Sequence, residues 1–257
     1  MIVSHQNRKI KDIRRIQRCK DDRALLEGPH LVSEALDSHC PIEYVLATPQ
    51  FAESESGRAL LRREPLPVSL VAPALLEELC DADSPRGILA VTRLPSRTLI
   101  DVPMVANGLY VYADGVQDPG NLGALARVLE AFDGTALILG PGTAHPHHPR
   151  ALRASAGSLL RLHVCADVPP RALSDRLSAL SPKWVALTAR AGKPLSSLAA
   201  AGTLVLAVGA EGPGLSTEVL EVADWLLTIP LGGQVESLNT TVAAAIVLYE
   251  ISRQRAS

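Results

Sequence analysis

Three short polar stretches of the sequence carry side chains that could do chemistry. They are "DGVQDPGNLGALAR" at 114–127, "GAEGPGLS" at 209–216 and "IPLGGQVESLNTT" at 229–241. Each is rich in glycine, which permits positive φ and a close approach of the backbone to a ligand. Each also carries a carboxylate, an amide or a hydroxyl group. This composition predicts a site that holds its ligand mainly through backbone groups and apolar walls.

Each of these stretches lies between a predicted strand and a predicted helix. The strands "GLYVYADGV", "GTLVLAVGA" and "DWLLTIPL" precede them. Nearly continuous apolar strands that alternate with helices indicate a mostly parallel sheet covered on both faces. In such sheets ligands bind where strands end and helices begin. We therefore expect the three stretches at one end of one sheet, although helix capping alone would explain the polar residues of any single stretch.

Two nucleotide-binding fingerprints are absent. The sequence has neither G-x-G-x-x-G after a strand nor G-x-x-x-x-G-K-[ST], which disfavours a dinucleotide-dependent oxidoreductase and a P-loop nucleoside triphosphatase. The histidines of "HPHHPR" at 145–150 invite a metal site. No other cluster of His, Cys or acidic residues has the spacing of metal ligands, so we expect no metal. We interpret this segment as a surface loop that could contact RNA.

Composition and charge limit the classes of protein to which the chain can belong. The chain has 257 residues, of which 47% are hydrophobic, and a formal net charge of −2, so no global field marks a nucleic-acid binder. Residues 8–23 nevertheless hold eight Lys and Arg against three Asp. This segment predicts phosphate binding, with an ordinary solvated helix face as the alternative. Scattered cysteines suit a reducing compartment, and the longest apolar run, 198–210, is too short for a bilayer. We expect a cytoplasmic protein that makes no membrane contact.

The order of elements predicts an α/β protein of two domains. The first hundred residues alternate short helices and strands, and 94–108 combines chain-breaking residues with little periodicity. We predict domains at 1–98 and 107–257.

Four motifs resemble, in order and spacing, those of the SpoU/TrmH branch of the SPOUT methyltransferases. They are "DGVQDPGNLGALARVLEAF", "RASAGS", "AVGAEGPGLS" and "IPLGGQVESLNTTVAAA". The pieces "LLEGPHLVSEAL" and "SPRGILAV" resemble that family's N-terminal substrate-binding domain, a small α/β module similar to certain ribosomal proteins. The resemblance implies methyl transfer from S-adenosylmethionine to a ribose 2′-hydroxyl of RNA. It also implies a trefoil-knotted C-terminal domain with a parallel sheet, through which a homodimer forms.

The resemblance also implies roles for five residues in catalysis. Arg127 is expected to clamp a phosphate and orient the 2′-hydroxyl. It is not expected to act as a base, because its guanidinium group stays protonated. Asn121 is expected to cap its helix and bond within the site. Glu211 would orient Arg127 or a backbone amide, and Ser237 and Asn239 would hold Arg127 and the target nucleotide.

The same resemblance implies the cofactor pocket and part of the RNA surface. The sequence "GAEG" occurs in the ribosomal branch of the family and favours rRNA over tRNA. A catalytically inactive RNA-binding or ribosome-assembly homologue is the alternative. The expected cofactor-binding residues are Thr188, Gly209, Gly212, Ile229, Gly232 and Leu238. The expected RNA-binding residues are Arg8, Lys9, Lys11, Arg14, Arg15, Arg153 and Ser155.

Overall fold

The protein divides into two compact units. The computed structural model describes residues 1–18, 22–82, 85–95 and 97–256. The N-terminal unit comprises Met1–Ser96 and His147–Arg161, and the C-terminal unit comprises Arg97–Pro146 and Leu162–Ser257. The segment His147–Arg161 thus groups with the N-terminal unit, although the sequence analysis placed it in the second domain. The domain bounds 1–98 and 107–257 stay a prediction.

The N-terminal unit is built on a four-stranded sheet. Its elements before residue 96 are α1 (Arg8–Arg18), β1 (Arg23–Glu27), α2 (Pro29–Asp37), β2 (Ile42–Ala47), α3 (Pro49–Glu53), α4 (Glu55–Leu61), β3 (Val68–Leu70), α5 (Pro73–Glu77) and β4 (Ile88–Arg93). The strand order is β1-β4-β2-β3. The β2–β3 pair is parallel and the other two pairs are antiparallel.

Strand β1 has no counterpart in the prediction. All five of its residues are buried, yet both ends are charged. Arg23 is buried because it pairs with Asp12 at 2.9 Å. Glu27 is buried because it accepts hydrogen bonds from the backbone N–H groups of Asp81 and Ala82, at 2.7 and 3.1 Å. Buried charges of this kind are tolerated only when they are paired, so hydrophobic patterning alone does not reveal the strand.

The basic segment at the start of the chain forms an amphipathic helix. Ile10, Ile13 and Ile16 of α1 are buried in a core that includes Leu25 and Leu46. Their spacing of three residues keeps the isoleucines near one side of the helix. Residues 19–21 of the predicted basic segment lie outside the described residues.

The C-terminal unit contains a seven-stranded sheet. The elements after residue 96 are β5 (Leu109–Asp114), α6 (Pro119–Ala131), β6 (Ala136–Leu139), α7 (Pro149–Ser155), α8 (Ser158–Arg161), β7 (His163–Cys165), α9 (Pro170–Leu177), β8 (Lys183–Leu187), β9 (Lys193–Pro194), β10 (Leu204–Gly209), α10 (Thr217–Val222), β11 (Trp225–Thr228) and α11 (Thr240–Arg255). Of these, α7 and α8 belong to the N-terminal unit.

All pairs in this sheet are parallel, as predicted. The strand order is β7-β6-β5-β10-β8-β11-β9, with parallel register throughout. The two-residue strand β9 was not predicted. From β5 the chain continues outward to β6 and β7, whereas β10 and β8 lie on the other side of β5. Such a reversal of strand order favours a ligand site at the carboxyl ends of the strands near it.

Large aromatic residues fill part of the core of this unit. Tyr110, Tyr112 and Trp184 are almost fully buried, and the ring centroids of Tyr112 and Trp184 are 5.5 Å apart. The Tyr112 hydroxyl donates to the Val168 carbonyl at 2.8 Å. Among the helices of the described residues, none has the length and apolar character needed to cross a membrane.

Candidate active site

Three polar side chains from different segments meet at the carboxyl edge of the parallel sheet. The Asn121 amide donates to Glu211 Oε1 at 2.6 Å. The Asn239 amide donates to the same oxygen at 2.9 Å and to Asn121 Oδ1 at 3.0 Å. The three stretches singled out in the sequence therefore converge, as expected from strands that end at one edge. We call Asn121, Glu211 and Asn239 the amide–carboxylate cluster.

Asn239 is held in one orientation by the helix that it caps. Its Oδ1 accepts hydrogen bonds from the backbone N–H groups of Thr241 and Val242, at 2.9 and 3.3 Å. The N-cap position favours Asn because its side-chain oxygen satisfies otherwise unpaired backbone donors. With the oxygen occupied at the cap, the amide nitrogen is left to face Glu211. Capping and site geometry are thus two uses of one side chain.

Asn121 does not cap its helix, contrary to the prediction. The N-cap of α6 is Asp118, whose carboxylate accepts from the Asn121 backbone N–H at 2.9 Å. Pro119 occupies the first helical turn, where its missing N–H costs nothing. Asn121 therefore lies inside the first turn with its side chain available to the cluster. Its carbonyl accepts a hydrogen bond from Thr241 Oγ1 at 3.1 Å, which ties α6 to the start of α11.

A tight glycine turn presents Glu211. Ala210 and Gly214 exchange two backbone hydrogen bonds of 3.1 Å. Gly212 and Gly214 have φ of +91° and +75°, values that residues with a Cβ rarely adopt. A Cβ on Gly209 would lie 2.3 Å from the Gly214 carbonyl carbon. The Asp114 carboxylate fixes the far end of the turn by accepting from the Ser216 N–H at 2.6 Å.

A cleft of about 710 Å³ opens beside this cluster. Its size lies within the range typical of small-molecule and cofactor sites. Apolar walls come from residues of β8 and β10 and from the segment between β11 and α11, and polar groups lie between them. The lining residues are Leu187, Thr188, Ala189, Arg190, Val208, Gly209, Ala210, Glu211, Gly212, Gly214, Ile229, Leu231, Glu236, Ser237, Leu238, Asn239, Thr240 and Ala243.

Most of the predicted cofactor residues line this cleft. Five do so, and Gly232 does not, although its neighbour Leu231 does. Gly232 is exposed, and a Cβ there would meet no atom within 4 Å. The five lining residues are Thr188, Gly209, Gly212, Ile229 and Leu238. Ser237 of the predicted catalytic set also lines the cleft.

Arg127 lies apart from the cleft of its own chain. It is exposed on α6 and is not among the lining residues. Six positions separate it from Asn121, which turns it about 120° around the helix axis from that residue. Within the described residues Arg127 has no hydrogen-bond or ion-pair partner. Glu211 and Asn239, expected to orient Arg127, bond to Asn121 and to each other instead.

The predicted RNA-binding residues of α1 fall into two groups. Lys9 donates to Ser69 Oγ at 2.9 Å and lies over the Tyr44 ring, and Arg14 bonds to His5 and Glu78. These two side chains serve contacts within the unit. The exposed basic residues of α1 are Arg8, Lys11, Arg15 and Arg18. Of these four residues, Arg18 was not among the predicted RNA-binding residues.

Arg153 and Ser155 are placed differently from the prediction. The Arg153 guanidinium binds the carboxylates of Glu27 and Asp81, so its donors are engaged within the N-terminal unit. The Ser155 side chain is 0% exposed and donates to the Leu152 carbonyl at 2.8 Å, so it cannot face a substrate in this structure. Burial beside Glu27 raises the pKa of the nearby Cys80 thiol to about 12.

Several residues of the site were missed by the sequence analysis. Thr240 Oγ1 donates to the Gly209 carbonyl at 3.1 Å and joins the last helix to the glycine turn. Arg190 and Glu236 form an exposed ion pair of 2.7 Å at the cleft. Their signal in the sequence is weak, because an exposed charged loop residue is usually only solvated. Across the described ranges, no group of three or more His, Cys, Asp and Glu could hold a metal ion.

The cleft and cluster lie within a region that matches a known family. The sequence model of the SpoU rRNA Methylase family matches residues 108–249, more than half of the chain. This chain belongs to the SpoU rRNA Methylase family. The MRM3-like substrate binding domain matches residues 7–90, which lie in the N-terminal unit.

Relatives of this SpoU family member match it over almost its whole length. A Bacillus subtilis protein, 23S rRNA (guanosine(2553)-2′-O)-methyltransferase RlmP, is 32% identical over 97% of this chain and 98% of its own. The structure of the SpoU methyltransferase AviRb from Streptomyces viridochromogenes, in complex with AdoMet, has a TM-score of 0.89 and 26% identity over 98% and 99% of the two chains. An AdoMet-bound rRNA methyltransferase from Sinorhizobium meliloti has a TM-score of 0.84 and 26% identity over 100% and 98%.

Proposed function

We propose that the protein transfers a methyl group from S-adenosylmethionine to the ribose 2′-hydroxyl of a nucleotide in rRNA. The observation that carries this proposal is the amide–carboxylate cluster at the edge of the cleft. Asn121, Glu211 and Asn239 come from three separate segments of the chain and share hydrogen bonds of 2.6 to 3.0 Å. The family match and the AdoMet-bound relatives support a cofactor of this kind.

The cleft suits an adenosine-containing cofactor. Leu187, Ile229 and Leu238 offer apolar walls for a purine ring, and Thr188 and the glycine turn offer hydroxyl and backbone groups. When bound, the sulfonium of the cofactor supplies an activated methyl group, so no metal is required for the transfer. The protein's task is then to place the ribose hydroxyl about 3 Å from that methyl group and to handle its proton.

The proposed catalytic roles rest on the charges and hydrogen-bonding groups of Glu211, Ser237 and Arg127. Glu211 fixes Asn121 and Asn239, and its second carboxylate oxygen stays available as an acceptor for a hydroxyl group. Ser237 lines the cleft, where its hydroxyl can bond the ribose. Arg127 keeps its charge at any working pH and presents a fork of donors that matches a phosphate. We propose that it clamps the phosphate beside the target ribose.

We further propose a homodimer that forms through a knotted C-terminal unit. Helices α6 and α11 pack together, and α11 leaves Val242 and Tyr249 49% and 56% exposed. Seven residues separate Val242 and Tyr249, so they share one face of the helix. A second chain on this face would cover them. The knot would account for the crowding of backbone at Gly209.

RNA is proposed to dock on the exposed face of α1. Arg8, Lys11 and Arg18 lie at spacings of three and seven residues, which brings them to one side of the helix. Together they span about 15 Å of helix length. The match of this region to a substrate-binding domain supports the assignment. The cytoplasmic location expected from the cysteines stays a prediction.

Methyl transfer from labelled S-adenosylmethionine tests the function. The protein is incubated with rRNA and, separately, with tRNA, beside Arg127→Ala as a catalytic variant. We expect label in ribose of rRNA only, and none with Arg127→Ala despite unchanged cofactor binding by calorimetry. Label in tRNA alone would reject the proposed substrate. Cofactor binding without transfer to either RNA, or no cofactor binding at all, would favour the inactive homologue.

A further inference from the structure

A second cavity lies in the N-terminal unit, at one edge of its sheet. It has a volume of about 320 Å³, which is at the lower end of the range of small-molecule sites. Strands β2 and β3 are parallel, so their carboxyl ends meet at this edge and lead into α3 and α5. The lining residues are Thr48, Gln50, Phe51, Ser54, Pro73, Leu76, Glu77, Pro85, Arg86 and Gly87. We call this cavity the Phe51 pocket.

The wall of the Phe51 pocket is held by specific contacts. The Thr48 backbone N–H donates to the Gly87 carbonyl at 2.8 Å, and its buried hydroxyl accepts from the Phe51 N–H at 3.2 Å. Gly87 has φ of +74°, and a Cβ there would lie 2.8 Å from Phe51 Cβ. Glycine therefore lets the segment before β4 pack against the phenylalanine. These contacts join the segments after β2 and before β4 into one wall of the pocket.

The rim of the pocket carries polar side chains with unused hydrogen-bonding capacity. Gln50, Glu77 and Arg86 are exposed, and within the described ranges none of their side chains has a hydrogen-bond or ion-pair partner. An amide and a carboxylate can together donate to and accept from the edge of a planar heterocycle. A guanidinium can bind a phosphate. Phe51, Pro73, Leu76 and Pro85 offer the apolar surface between them.

We propose that the Phe51 pocket binds one unpaired nucleotide of the RNA substrate, with its base against Phe51 and a phosphate on Arg86. Sequence-specific recognition of RNA uses unpaired bases that stack on aromatic side chains and bond through their edges. The pocket combines these elements within the region matched as a substrate-binding domain. The inference rests on the proposed use of RNA, but its site is separate from the cleft, and it assigns the pocket a part in choosing the substrate.

Binding of short RNAs to the full-length protein tests this inference. The probes are fluorescein-labelled octauridylate and octaadenylate, and an octamer of the same backbone that lacks bases. Anisotropy at low salt gives the Kd of each. Phe51→Ala should weaken binding of at least one base-bearing octamer about tenfold or more, in line with the loss of a stacked base. It should leave the abasic octamer unchanged.

Matched variants separate stacking from other effects. Phe51→Tyr keeps a ring and should bind as the wild type does, whereas Phe51→Leu keeps the apolar bulk and should behave as Phe51→Ala. Arg86→Ala should weaken all three probes and lower the slope of log Kd against log salt by about 0.7. Arg62→Ala removes an equal charge from an exposed residue of the same unit that does not line the pocket, and should do neither.

Two results would overturn the inference. One is a wild-type protein that binds base-bearing and abasic octamers equally well. The other is a Phe51→Ala protein whose affinity for the base-bearing octamers is unchanged, or falls only as much as its affinity for the abasic octamer. The methyl-transfer assay is read separately, so a protein that binds through its Phe51 pocket but transfers no methyl group would reject the proposed function alone.

Discussion

A hydrogen bond of 2.6 Å joins the side chains of Asn121 and Glu211, which are 90 residues apart in the sequence. The bond connects the first turn of α6, which follows β5, to the loop after β10, and β5 and β10 are neighbours in the parallel sheet. Asn239 then attaches the last helix to the same carboxylate oxygen. Because a charged acceptor strengthens each of these bonds, Glu211 organises the edge of the cleft.

Removal of Glu211 is expected to disable transfer without unfolding the protein. Glu211→Ala leaves both amides without their shared acceptor, and we expect methyl transfer to fall by about 100-fold or more, as for other donors and acceptors positioned at a reacting centre. Because Glu211 is exposed, the melting temperature should change little. Initial rates with labelled cofactor and a thermal melt measure the two effects.

The conservative variant Glu211→Gln is the control for charge. Its amide oxygen can still accept from Asn121 and Asn239, although without a formal charge. We expect a smaller loss than for Glu211→Ala. Equal losses would show that the negative charge itself matters for catalysis, and equal activity of all three proteins would remove Glu211 from the catalytic set.

The two uses of Asn239 can be separated by substitution. Asn239→Ser keeps a good N-cap but removes the amide that donates to Glu211, whereas Asn239→Ala removes both. We expect both variants to lose methyl transfer. Only Asn239→Ala should lower the free energy of unfolding, by about 1 kcal/mol, the usual cost of losing a cap. Urea unfolding compares their stabilities, and an active Asn239→Ser protein would contradict a role beyond capping.

Gly209 and Gly232 differ in how closely the backbone surrounds them. A Cβ on Gly209 would lie 2.3 Å from the Gly214 backbone, whereas one on Gly232 would meet nothing within 4 Å. Gly209→Ala should therefore displace the glycine turn and weaken S-adenosylmethionine binding by about tenfold or more. Gly232→Ala serves as the control and should bind normally. Calorimetry measures the affinity of each variant for S-adenosylmethionine. A large loss of affinity for Gly232→Ala alone would mean that Gly232 contacts the cofactor as predicted.

Most of the parallel sheet and the convergence of its loops could be predicted from sequence. The apolar strands β5, β6, β8 and β10 are continuous enough to be recognised, and glycine with polar residues after them marks the candidate site. Strand β1 was not predicted because its buried ends, Arg23 and Glu27, depend on partners elsewhere in the chain. Such pairing is tertiary information that local patterning does not hold.

The sequence predicted which residues form the candidate site more accurately than it predicted the hydrogen bonds between them. Glu211 and Asn239 were both named, yet they bond to Asn121 and not to Arg127. Asp118 displaced Asn121 as the cap of α6, because the helix begins earlier, at Pro119. Helix boundaries shift easily by a few residues, since they are fixed by individual capping contacts that the hydrophobic period does not record.

The proposed RNA surface of α1 gives a prediction with a built-in control. Lys11 is exposed, whereas Lys9 is committed to Ser69 and the Tyr44 ring. Lys11→Ala should weaken RNA binding and lower the slope of log Kd against log salt by about 0.7 to 0.9, the loss of one phosphate contact. Lys9→Ala should keep the slope. Equal slopes for both variants and the wild type would place the RNA elsewhere.

Arg153 is predicted to stabilise the N-terminal unit and not to bind RNA. Its guanidinium spans the carboxylates of Glu27 and Asp81, and the Glu27 side chain is only 3% exposed. Breaking a buried ion pair costs about 3–5 kcal/mol, and the partial exposure of Arg153 together with the remaining backbone donors to Glu27 should reduce this to about 2 kcal/mol. We expect Arg153→Ala to lower the free energy of unfolding by that amount in urea, with RNA affinity unchanged below the transition.

Arg153→Lys should recover only part of the loss, because an ammonium does not reproduce the planar fork. Unchanged stability with weakened RNA binding would instead return Arg153 to the RNA surface expected from the sequence.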